Sequence, residues 1–197
     1  LTYDLAESIE LYRDVIVVNK GMNNHNVYYR GKSWFAADAE GRSLKDYSQK
    51  ELDRKGLEGV YLSAASPEVK QYLRELVREI LFKYDVDGIH LDYVRYGNLN
   101  YSYDLSSRNA FYRQYKVDPM AFFTGDPGLK PYWDTWYLWR MYNISDLVSQ
   151  LKMDIVKFNP WVKLSAAVKP DPDEARAGFG QDWPNWLLNR WVDFVVL

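Results

Sequence analysis

The chain has 197 residues, 25 basic against 27 acidic side chains for a formal net charge of −2, and no cysteine. This excludes a disulfide scaffold, a thiol enzyme and a cysteine-held metal, and it offers no basic field to a nucleic-acid backbone. Hydrophobic residues at 47% can bury a core, no apolar run approaches the roughly 18 residues that cross a bilayer, and one domain over residues 1–197 is expected.

The sequence opens at Leu1 with no methionine and no signal-peptide pattern. That predicts either a removed export signal or a start inside a longer protein, and the lack of cysteine is compatible with export. Leu5 to Tyr12 reads as a helix followed by a strand at Val15 to Val18. A long segment rich in Asn, Tyr, Trp and Gly, Asn19 to Ser66, comes next. Ser66-Pro67, a cap residue followed by the proline tolerated in a first turn, opens a helix to about Tyr84. Val69, Leu73, Leu76, Val77 and Ile80 recur there at three and four, with Lys70, Arg74 and Arg78 on the other side. Asp87 to Val94 then reads as a strand. A second long aromatic segment, Gly97 to Thr135, holds a short helix around Ser107 to Tyr115. A helix from about Trp136 to Phe158 leads to a strand at Val162 to Val168, and Trp183 to Asn189 leads to a strand at Val192 to Leu197.

Four helix-then-strand units in a row predict an α/β fold, a parallel sheet with helical crossovers. Four strands cannot close an eight-stranded barrel, and an interior-type strand at the chain end reads as truncation. The residues alone leave two architectures open: roughly half to two-thirds of a (β/α)8 barrel, or a smaller open sheet.

In parallel α/β folds the ligand sits beyond the carboxyl ends of the strands, which the two long segments follow. Alternation along Gly88 to Arg95 puts Ile89 and Leu91 toward the helices and His90 and Asp92 on the inner face. A carboxylate at that end is where a glycosidase keeps a nucleophile or base, so Asp92 is the first candidate, with His90 to orient a hydroxyl. The same alternation brings Lys169 to the mouth after Val162 to Val168. The loop after it, Pro170-Asp171-Pro172-Asp173-Glu174, supplies candidate partner acids, Asp171 and Glu174 among them. Asn19, ending the first strand, is a candidate sugar ligand, and Arg140 and Asn143 fall near a helix start that shares the rim. Aromatic side chains such as Tyr93 and Trp133 offer flat faces to the CH-rich side of a pyranose. Only His25 and His90 are present, which rules out a three-histidine site, so no metal or other cofactor is expected.

Pro67-Glu68-Val69-Lys70-Gln71-Tyr72-Leu73, running into Tyr84-Asp85-Val86-Asp87-Gly88-Ile89-His90-Leu91-Asp92-Tyr93-Val94-Arg95-Tyr96, resembles the signature of the bacterial glycoside-hydrolase-like family ten, exported lipoproteins. Collinear matches continue through Trp34 with Asp38 and Gly41, Tyr115 to Pro119, Trp139-Arg140 with Asn143, Pro160 to Lys163, and Gln181-Asp182-Trp183-Pro184 to Val196. The resemblance implies a TIM-barrel glycoside hydrolase of the cell envelope, lipid-anchored or periplasmic. Its substrate would be a bacterial or complex polysaccharide, such as peptidoglycan glycan strands. It places a catalytic carboxylate at Asp92 and makes Arg95, Arg140 and Asn143 substrate-site residues. Many members carry a second acid directly after that aspartate, where this chain has Tyr93, which leaves the acid and base roles open. The competing expectation is a non-catalytic sugar-binding or scaffold protein that keeps the aromatic cleft.

Overall fold

The computed structural model describes residues 34–197 together with the two-residue strand β1 (Val17–Val18). Its framework is a parallel sheet of β3 (Gly88–Leu91), β4 (Lys163–Ala167) and β5 (Phe194–Val196) in that order. Ile89 pairs with Leu164 and His90 with Ser165, and Ala166 pairs with Val195. Along β3 the alternation holds, with Ile89 buried on the helix side and His90 exposed on the opposite face; along β4, Leu164 and Ala166 are buried on the helix side and Ser165 between them is buried as well. His90 Nδ1 lies 2.8 Å from Ser165 Oγ, which confirms that these two share a face.

The covering layer is made by α2 (Pro67–Lys83) and α4 (Lys130–Phe158). The Ser66 side chain accepts the Val69 amide, and Pro67 fills a first-turn position whose N–H would have no helical partner. Val69, Leu73, Leu76 and Val77 of α2 meet Ile144, Leu147, Val148, Leu151 and Ile155 of α4 in one cluster that also takes in Ile89, Leu164 and Ala166. Polar pairs fasten the same seam. Arg74 and Arg78 both bind Asp154, and Lys70 binds Asp146.

Three expectations are corrected. First, β1 pairs antiparallel with β2 (Val60–Tyr61), so the parallel run is confined to β3, β4 and β5 among the described residues. A two-residue strand carries no alternation to read. For the same reason Asn19 to Ser66 is not one unbroken loop: it contains β2 and α1 (Gln49–Arg54). Second, the long helix starts at Lys130, not Trp136. Pro131 in its first turn marks the start, but Leu129 offers no side-chain cap. Third, Gly97 to Thr135 is folded rather than open: besides the short helix expected there, α3 (Leu105–Tyr115), it holds two 3₁₀ helices and the first turn of α4. Its rings make a second core: Phe111 packs edge-on to Trp136 at 4.9 Å, and Trp136 stacks on Trp139 at 5.0 Å. A closed eight-stranded barrel is not formed by the described residues.

Among the described residues, α5 (Pro172–Phe179) and α6 (Trp183–Leu188) follow β4 and lead into β5. The 29 residues of α4 span about 43 Å, far longer than the five-residue β4, so the first half of α4 extends past the carboxyl end of the sheet.

Candidate active site at the carboxyl ends of β3 and β4

Asp92 follows the last residue of β3 and is half-buried. The Tyr93 amide donates to its Oδ1 at 2.9 Å. Tyr93 adopts φ 54, a left-handed conformation rare for a bulky side chain, and the Arg95 amide donates to the Tyr93 carbonyl at 2.7 Å. The Arg95 guanidinium lies under three rings, with its carbon 5.2 Å from the centroid of Tyr93, 5.1 Å from Phe179 and 5.9 Å from Tyr61. Its Nη2 donates to Glu58 Oε1 at 2.9 Å, and the Tyr61 hydroxyl donates to Glu58 Oε2 at 2.9 Å. Partial burial pushes the Glu58 carboxyl up. Hydrogen bonds from its own amide and Tyr61, with the Arg95 charge, outweigh that and hold it below the ordinary range. Burial raises the Tyr61 phenol despite the nearby Arg95.

The loop after β4 is tied to the loop after β3. Gln181, fully buried, donates from Nε2 to the Ala167 carbonyl at 3.0 Å and accepts the Lys169 amide at Oε1. The Tyr96 amide donates to the Phe179 carbonyl at 2.9 Å. Gly180 sits between, at φ 73, where a Cβ would come within 3.0 Å of the Tyr96 ring, so this contact requires glycine. Lys169 Nζ is 4.8 Å from the Phe179 centroid, on the ring that also packs on Arg95.

Of the residues read as a site, the structure therefore gathers His90, Asp92, Tyr93, Arg95 and Lys169 at the ends of two adjacent parallel strands. The rest have other surroundings. Trp133 packs on Phe122 at 5.0 Å in the second core. Arg140 and Asn143 lie three turns inside α4, not near its start, and both are buried. Arg140 donates to the carbonyls of Asn98 and Tyr101 at 2.8 and 3.2 Å, and its guanidinium lies 4.4 Å from the Tyr96 ring centroid. Burial lowers its pKa. Asn143 donates to the Trp139 carbonyl and accepts from Lys70. Both therefore serve the interior rather than a cleft. Asp171 caps α5, its Oδ1 accepting the amides of Asp173 and Glu174 at 2.9 and 2.8 Å, and Glu174 is exposed on the first turn of that helix. Asn19 lies outside the described residues. Glu58, Tyr61, Phe179 and Gln181 are parts of the site that no spacing rule marked. Gln181 alone had a signal, as one of the collinear family matches.

The model of the glycosyl hydrolase-like 10 family matches residues 43–197. The chain belongs to that family. Glycosyl hydrolase YngK of Bacillus subtilis (strain 168) is 24% identical over 156 residues, which is 70% of this chain and 27% of that protein. The PgaB (BpsB) glycoside hydrolase domain from Bordetella bronchiseptica superposes with a TM-score of 0.54 at 18% identity, covering 71% of this chain and 39% of the other. That likeness shows the fold, a mixed helix and sheet arrangement shared with a glycoside hydrolase domain. The chain spans about a quarter to two-fifths of the length of these two relatives. Within the glycosyl hydrolase-like 10 family, Asp92 of this chain stands at the carboxyl end of a parallel strand, the end that carries chemistry in barrel enzymes.

Proposed function

We propose that this member of the glycosyl hydrolase-like 10 family hydrolyses glycosidic bonds in an envelope polysaccharide, with Asp92 as the catalytic carboxylate. The observation that carries the reading is the setting of Asp92. It ends a parallel strand, half-buried, with Oδ1 tied to the Tyr93 amide and Oδ2 without a hydrogen-bond partner among the described residues. A carboxylate with one oxygen fixed and one available suits attack on an anomeric carbon or activation of water. His90 and Lys169 supply a ring nitrogen and an ammonium for hydroxyl groups of the sugar. The proton for the leaving oxygen comes from a second carboxyl. Asp171 is engaged in capping, so Glu174, whose carboxylate has no partner among the described residues, is the better candidate after β4. No step calls for a metal or cofactor. The substrate class is a bacterial polysaccharide such as peptidoglycan glycan strands, met outside the cytoplasm by a protein that is periplasmic, surface-exposed or lipid-anchored.

The test is hydrolysis of purified glycans, including peptidoglycan strands with and without stem peptides, by the full-length protein and its Asp92→Asn variant. The parent cleaves at least one glycan, and the variant binds it but turns it over about 10²–10⁴-fold more slowly. If both bind a glycan equally and neither cleaves any, the protein is a sugar-binding module and the hydrolase reading is rejected.

A further inference from the structure

The geometry points to Arg95 as a positioning residue that fixes the direction of the Asp92 carboxylate through Tyr93, with Glu58 holding Arg95 in place. This rests on the hydrolase reading and goes beyond it: Arg95 leaves the set of sugar ligands, and Glu58 gains a role.

The argument starts from the backbone of Tyr93. A left-handed bulky residue persists only where its surroundings over-determine it. Here the Arg95 guanidinium packs 5.2 Å from the Tyr93 ring centroid, and the Arg95 amide closes a tight turn around Val94 by binding the Tyr93 carbonyl at 2.7 Å. The next residue, Tyr96, is anchored to the Phe179 carbonyl, and Val94 is fully buried, so the turn has no slack on its far side. What the turn delivers is the Tyr93 N–H, held against Asp92 Oδ1. With that oxygen tied, the carboxylate cannot rotate freely, and Oδ2 keeps one direction. Direction matters because a misplacement of about 1 Å at a reacting group costs on the order of 100-fold in rate.

Arg95 is itself held. Its side chain is only 9% exposed, with Glu58 on one edge and rings of Tyr61 and Phe179 packed on it, so little surface is left for a pyranose. Glu58 is locked in turn by the Tyr61 hydroxyl. The chain of contacts therefore runs from Tyr61 to Glu58, Arg95, Tyr93 and Asp92. Glu58 does not serve as the proton donor: its carboxyl is held below the ordinary range and stays ionised at neutral pH. Lys169, over the outer ring of the cluster, remains the cation that faces substrate.

The experiment compares Glu58→Gln, Arg95→Met and Arg95→Lys in the full-length protein. Hydrogen exchange at the Tyr93 amide needs no turnover. It is expected to quicken at least about tenfold in Glu58→Gln and Arg95→Met, with exchange inside α2 and α4 unchanged. On the glycan that the parent cleaves in the panel above, kcat falls about 100-fold while KM stays within about twofold, and Arg95→Lys recovers most of the rate. The double variant loses no more than Arg95→Met alone, since the two act as a unit. Glycan-binding stoichiometry equal to the parent's excludes a misfolded fraction. A rise in KM with kcat unchanged would make Arg95 a sugar ligand. Tyr93 exchange at the parent's rate would overturn the positioning role, whatever the activity. If the parent cleaves no glycan while exchange responds as stated, the hydrolase reading fails and the linkage from Glu58 to Asp92 stands.

Discussion

Asp104 is the buried carboxyl whose titration should be visible in the stability of the whole protein. It is 4% exposed at the N-terminus of α3. Its Oδ1 accepts from the Ser107 amide at 3.0 Å and the Ser63 hydroxyl at 2.8 Å, and its Oδ2 accepts from the Ser107 hydroxyl at 2.9 Å. Burial pushes its pKa from the ordinary 3.8 up to about 6, against the pull of those three bonds. Arg42 and Arg108 line the same cavity, of about 380 Å³, but they pair with Glu51 and Asp118 and leave Asp104 uncompensated. A carboxyl raised on folding contributes stability that is fully present below 3.8 and is lost as pH rises through about 6. The gap between those values, at 1.36 kcal/mol per pH unit, is about 3 kcal/mol. Asp104→Asn keeps the shape, the cap and a group able to donate to the Ser107 hydroxyl, but carries no charge. Urea unfolding of parent and variant at steps from pH 3.5 to 8 should show the variant gaining about 3 kcal/mol on the parent across the window. Acids shared by both proteins cancel in the difference. A difference that is flat with pH, or that moves in the parent's favour as pH rises, would refute the assignment of this burial penalty to Asp104.

Asp154, with its side chain 4% exposed between Arg74 and Arg78, joins α2 to α4. Asp154→Ala should lower unfolding stability by about 2 kcal/mol in denaturant titrations, because two partly buried guanidinium groups lose their acceptor. Burial raises this carboxyl, but the two arginines outweigh it and hold it below its ordinary value, so the contribution is present at neutral pH and is lost as pH falls into the acid range. Asp171→Asn separates capping from catalysis: asparagine caps as well as aspartate, so stability should stay within about 0.5 kcal/mol and glycan hydrolysis should be unchanged. A loss of about 10²-fold or more in hydrolysis, with stability intact, would instead make Asp171 the proton donor.

The elements that were legible in the sequence are those whose signals repeat. The α2 helix declares itself twice, by Ser66-Pro67 at its start and by apolar residues at three and four along one face, and the structure ends it at Lys83, one residue from the predicted Tyr84. The strand expected over Asp87 to Val94 is present but shorter, Gly88–Leu91: Ile89 and His90 take opposite faces as alternation predicts, while the chain leaves strand geometry after Leu91 and turns left-handed at Tyr93. The elements that were hidden have nothing to repeat. β2 is two residues long, and the first turns of α4 lie in a segment so rich in rings that it reads as a sugar-stacking loop. The rings do stack, but on one another: Trp133, Trp136 and Trp139 fall on the part of α4 that overruns the sheet, and an overrunning helix must be covered by something apolar. Aromatic content signals a surface to be buried, and the sequence does not say whether sugar or protein buries it.

The site divides along the same line. His90, Asp92, Tyr93 and Arg95 are legible as neighbours because they follow one another at one strand end, although only His90 lies on the strand and the rest sit in the turn after Leu91. Lys169 is legible in the same way, two residues past the end of the neighbouring strand. Glu58, 37 residues from Arg95 in the chain, lies in a bend before a two-residue strand, and Phe179 is the last residue of a short helix, so no periodicity marks either of them. Arg140 shows the converse. Its place in a family motif is compatible with a ligand, yet its guanidinium holds two loop carbonyls in the interior. A buried arginine without a carboxylate is costly unless it finds other partners, and Arg140 meets part of that cost through the carbonyls of Asn98 and Tyr101, both bound by Nη2, and through the Tyr96 ring. The Asn98 to Tyr101 turn leads from the Tyr93 loop into the aromatic core, so Arg140 stabilises the ground on which the site stands. Its substitution should therefore appear as lost stability before it appears as lost affinity for glycan.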